Sequence, residues 1–68
     1  MEPLDVWRMA KAMVDKHGEY APEECEHQAD EFAAAGDGNS EELWEIIRWA
    51  AENILENGPP IEIMGPPN

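Results

Sequence analysis

Apolar residues recur at helical spacing in three runs of this chain, and each run stops at a glycine: His17-Gly18, Ala35-Gly36 and Asn57-Gly58. Glycine takes the left-handed conformation that closes a helix without steric penalty. Prolines mark the starts. Pro3 and Pro22 suit first-turn positions, where a missing N–H costs nothing, and acidic residues beside them (Glu2 and Asp5, then Glu23, Glu24 and Glu26) favour the positive end of the helix dipole. Asn39 followed by Glu42 fits a capping box for the third run, with Ser40 as an alternative cap. Pro59-Pro60 forbid continuation beyond Gly58. No strand alternation precedes Ile61-Glu62-Ile63-Met64, which is short and bracketed by Pro and Gly. The expectation is an all-α, small three-helix domain over residues 1–57, with helices at about 3–17, 22–35 and 40–56, and an irregular Pro-rich tail over 58–68.

Placing residues at about 100° per position sorts the faces. The first helix turns Val6, Trp7, Met9, Ala10, Met13 and Val14 inward, and the second Ala21, Cys25, Ala29, Phe32 and Ala33. The third has the widest apolar arc, with Leu43, Trp44, Ile46, Ile47, Ala50, Ala51, Ile54 and Leu55, and is expected to be central. Three Trp in 68 residues suggest a rich core, which a chain this short needs because it buries only about 60% of its unfolded surface. Trp49 breaks the pattern, projecting among Glu42, Glu45, Asn53 and Glu56. Either the tail or the first helix covers it, or it is an exposed anchor for a partner or a second copy.

Charge bounds the function. Sixteen Asp and Glu against four Lys and Arg give a net charge of −12, beyond the magnitude of about 2–8 that solubility asks of a small domain. Direct binding to nucleic acid or anionic membrane is disfavoured, and attraction to a basic partner is favoured. Glu41, Glu45, Glu52 and Glu56 share one edge of the third helix with Arg48 nearby, and Glu23, Glu26 and Asp30 line the second. Carboxylates at i, i+4 rise by about 6 Å, close to the phosphate spacing of a nucleic-acid strand. The stripes therefore fit a solvated face or a nucleic-acid mimic.

Chemistry at other positions is weak. Cys25 and His27 lie about 160° apart on a helix and cannot chelate one ion, and Glu24 and His27 point outward. His17 suits a helix end, and Cys25 a small buried apolar group. A core-facing cysteine leaves no room for an oxyanion site, so neither catalysis nor a metal, cofactor or small-molecule substrate is expected. The single cysteine forms no internal disulfide, the apolar runs fall far short of a bilayer span, and the acidic N-terminus lacks a signal-peptide core. These features suggest a cytoplasmic setting.

Trp7 with Ala10 and Val14, His17-Gly18 with Ala21, Ala35-Gly36-Asp37, and Trp44, Ile47 and Ala50 together resemble a group of small uncharacterised helical proteins from alphaproteobacteria. The resemblance covers residues 4–55 and implies a helical fold and a bacterial or phage setting, with no mechanism attached. The leading expectation is a small, acidic, non-enzymatic interaction protein that binds a basic protein. Alternatives are a nucleic-acid mimic that inhibits a DNA- or RNA-binding protein, and a structural homodimer.

Overall fold

The computed structural model describes residues 3–58, with side-chain surroundings from residue 5 onward. Among these residues every regular element is a helix: α1 is Pro3–His17, α2 is Ala21–Ala34 and α3 is Gly38–Asn57. The expected tail over 58–68 lies outside the described residues beyond Gly58.

The expected separation into three helices needs correction at its first joint. Gly18–Tyr20 forms a 3-10 turn that leads straight into α2, so residues 3–34 are one bent helical stretch and α3 is the second. Gly18 has φ +59°, a conformation that interrupts the α1 hydrogen-bond ladder. The chain then returns at once to helical angles, and the Ala21 N–H donates to the Gly18 carbonyl. Pro22 sits in the first turn of α2, where its missing N–H leaves no bond unmade.

The second joint is tighter than the sequence suggests, and the cap is a different residue. Only residues 35–37 separate α2 from α3. Gly36 (φ +80°) closes α2 in a Schellman motif: its N–H donates to the Ala33 carbonyl at 3.1 Å, and the Asp37 N–H donates to the Phe32 carbonyl at 2.9 Å. Asp37, rather than Asn39 or Ser40, then caps α3. Its carboxylate accepts from the Ser40 N–H at 3.1 Å and from the Ser40 hydroxyl at 2.7 Å. One residue thus ends one helix and begins the next, which draws Gly38 and Asn39 into α3. Those two hydrogen bonds hold the Asp37 carboxyl below its ordinary value.

Helix α3 packs against both α1 and α2, while α1 and α2 touch each other far less. This is the central position expected from its wide apolar arc. The core itself is not the Trp-rich one anticipated. The fully buried side chains are Ala10, Ala21, Cys25, Ala29, Ile47, Ala50 and Ala51, with Ile54 almost so. Small residues on all three helices let the backbones approach closely, because interaxial distance follows side-chain size at the contact. Bulkier groups are displaced to the perimeter. Trp7, Trp44, Met9, Met13, Val6, Val14 and Leu43 are half-buried against the core, and Ile46, Leu55 and Ala33, all placed inward by the helical wheel, are exposed.

Candidate functional site

Trp49 projects from the middle of α3 on the side nearest α1, and α1 reaches it. The indoles of Trp7 and Trp49 meet with ring centroids 5.6 Å apart and planes inclined at 56°. That is a tilted aromatic pair within the favoured separation of about 4.5–7 Å. Contact with Trp7 covers Trp49 incompletely: it keeps 58% of its surface exposed, and Ile46, one turn earlier on α3, keeps 45%. One turn later the Asn53 side-chain amide donates to the Trp49 carbonyl at 2.9 Å. The result is an exposed aromatic seam between α1 and α3.

The electrostatics of the seam follow from where the few cations go. Arg8 lies 3.8 Å from Asp5, and Lys11 lies 2.8 Å from Asp15, both on α1. Arg48 bridges helices, with Nη1 3.3 Å from Glu26 of α2 and Nε 3.6 Å from Glu52 one turn along α3. Three of the four Lys and Arg are thereby committed within the chain. Among the described residues, none pairs with the exposed Glu42, Glu45 or Glu56 that flank Trp49 on α3.

The other carboxylates singled out from the sequence separate into distinct settings. Glu26 and Glu52 belong to the Arg48 cluster, so part of the acidic stripe is neutralised by the cation beside it. Glu41, half-buried, and Glu45 line an open depression of about 320 Å³ along the first turns of α3, together with Gly38 and Glu42. Glu23 and Asp30 lie exposed on α2, and Glu56 lies exposed near the end of α3. No group of three or more His, Cys, Asp or Glu among the described residues is arranged to hold a metal ion.

Cys25 is fully buried. Burial first, and the Glu24 carboxylate second, push its thiol up to about 11 against the opposing pull of Arg48. The thiol is therefore protonated at neutral pH and packs as a small apolar group. The sequence singles out Trp49 but not its partner, because Trp7 falls within the apolar arc of α1 like an ordinary core residue. No helix among the described residues is long and apolar enough to cross a membrane. Compared with known proteins, the chain matches no family model, no curated protein and no solved structure.

Proposed function

We infer that this chain is a small acidic interaction protein that binds a basic protein partner at the Trp7–Trp49 seam. It acts by association rather than catalysis, in the bacterial or phage setting that the sequence resemblance implies and the cytoplasmic one that the single cysteine and short apolar runs suggest. The observation that carries this reading is the indole pair, Trp49 exposed and Trp7 half-buried behind it, beside carboxylates with no cation of their own among the described residues. Trp is enriched at interface hot spots because it contributes a large apolar area with few rotatable bonds. Surrounding carboxylates steer a cationic partner toward it and repel acidic ones. Solvated, unpaired carboxylates stabilise the free chain little, so a complementary surface gains more here than at the Arg48 cluster.

A nucleic-acid mimic is the second reading. It is favoured by Glu41 and Glu45, which sit one turn apart in the α3 depression and rise by about 6 Å along the helix. The Arg48 cluster weighs against it, because a guanidinium interrupts the row at Glu52. A homodimer is disfavoured by the −12 charge on each copy.

The test pairs two baits, the native chain and Trp49→Ser, in capture from a bacterial lysate with elution in rising salt. The reading predicts a basic protein that survives moderate salt on the native bait and is lost from the variant. A partner retained equally by both baits, released at low salt and displaced by duplex DNA, would replace it with mimicry. Dimerisation of the native chain in sedimentation experiments, abolished by Trp49→Ser, would replace it with self-association.

A further inference from the structure

Given the proposed interaction function, the chemistry of the seam selects the group it receives. We propose that the Trp7–Trp49 pair is an arginine-selective contact: a guanidinium from a basic amphipathic helix lies flat on the exposed indole, with Glu45 as its carboxylate partner.

Three observations carry this. First, the two indole planes are inclined at 56° rather than stacked parallel. A flat stack would hide one face of each ring, whereas the tilted pair leaves indole surface open, as the 58% exposure of Trp49 records. The electron-rich face of an indole attracts cations, and Trp is the strongest of the aromatic side chains in this respect. Second, Glu45 stands one helical turn before Trp49, is exposed, and has no cation within ion-pair distance among the described residues. A planar guanidinium stacks on the ring while its outer N–H groups reach such a carboxylate. A compact ammonium approaches as a point charge without a flat face, so the site distinguishes arginine from lysine. Third, Ile46 continues the apolar surface along α3 at i−3 from Trp49. That pattern fits the apolar side of an incoming helix, with its basic side over Glu42 and Glu45. Charge complementarity selects the occupant: a second copy of this chain would bring another net charge of −12.

The probe is a pair of synthetic helical peptides with leucine on one face and arginine or lysine on the other, identical otherwise. Each is titrated calorimetrically into the full chain and into Trp49→Leu, Trp7→Leu and Glu45→Gln, with circular dichroism establishing that each variant is folded. The arginine probe is expected to bind the native chain roughly two- to fivefold tighter than its lysine twin. Trp49→Leu is expected to weaken the arginine probe and erase that preference, and Trp7→Leu to reduce it. Glu45→Gln is expected to weaken the arginine probe more than the lysine one. Equal binding of the two probes to the native chain, or a preference that survives Trp49→Leu, would overturn arginine selectivity while leaving a basic partner in place. Binding of neither probe would overturn both.

Discussion

Ile47 is the largest fully buried side chain in the structure, and its replacement tests the packing most directly. Ile47→Ala removes three carbons, which is about 2.4 kcal/mol of transfer free energy at roughly 0.8 kcal/mol per methylene. The cavity left behind adds to this, because the buried cluster that holds Ile47 is mostly Ala10, Ala21, Ala50 and Ala51, with Cys25 and Ile54, and its larger side chains are packed at the perimeter. Alanine has no rotamer with which to lean into a hole, and three helices would have to shift to close it. The expected loss is therefore about 3–4 kcal/mol, in the upper half of the range for such substitutions. A 68-residue chain at roughly 0.05–0.15 kcal/mol per residue has only about 3–10 kcal/mol in total, so Ile47→Ala approaches the threshold of unfolding. Ile47→Val, expected to lose about 1 kcal/mol, supplies a measurable intermediate. The assay is urea denaturation followed by far-ultraviolet circular dichroism, in moderate salt to screen the −12 charge. A loss under about 1 kcal/mol for Ile47→Ala would refute the packing of α3 between its two neighbours.

Trp44 is only half-buried, so Trp44→Ala should lose about 1.5–2.5 kcal/mol by the same assay, roughly half of what a fully buried Trp loses; a loss above about 4 kcal/mol would place it in the core. Asp37→Ala should lower the thermal midpoint through the lost α3 cap, while Asp37→Asn should retain most of it, because asparagine also accepts from the backbone; equal midpoints for Asp37→Ala and the native chain would remove the cap. The native chain's stability advantage over Asp37→Ala should be present above the ordinary aspartate value of 3.8 and fade as pH falls toward the lower folded-state value, since the folded form holds the proton less tightly. A difference that grows on acidification would contradict the Ser40 hydrogen bonds as its cause. Cys25, with its thiol pushed up to about 11 and its side chain enclosed, should react with a thiol reagent at neutral pH only as fast as the chain opens; labelling at the rate of an unfolded control would show the site to be open.

Local physics makes the helices legible. Proline without an N–H, glycine with access to positive φ, and the apolar period each act within a few residues, so the starts near Pro3 and Pro22 and the stops at Gly18, Gly36 and Gly58 can be read directly. The same logic located Trp49 as the side chain out of place. The 3-10 joint and the Asp37 cap were harder to read, because several nearby residues were competent and the choice between them depends on how soon the next helix must begin. Asp37 prevails by meeting both demands, donating its backbone N–H to Phe32 and accepting from Ser40.

Which apolar residues are covered was decided only by the assembled helices. The wheel gave α3 an arc running from Ile46 to Leu55, but two neighbouring helices cannot cover an arc that wide, and both ends stay exposed. Close approach through alanines on α1, α2 and α3 fixed where those neighbours sit and left every Trp outside the fully buried core. The Arg48–Glu26 bridge and the Trp7–Trp49 pair join residues far apart in the chain. Sequence by itself determined the all-helical class and the excess charge, because propensity and composition are properties of short segments or of the whole count. The exposed seam belongs to the tertiary structure, because it exists only where two helices present their edges side by side.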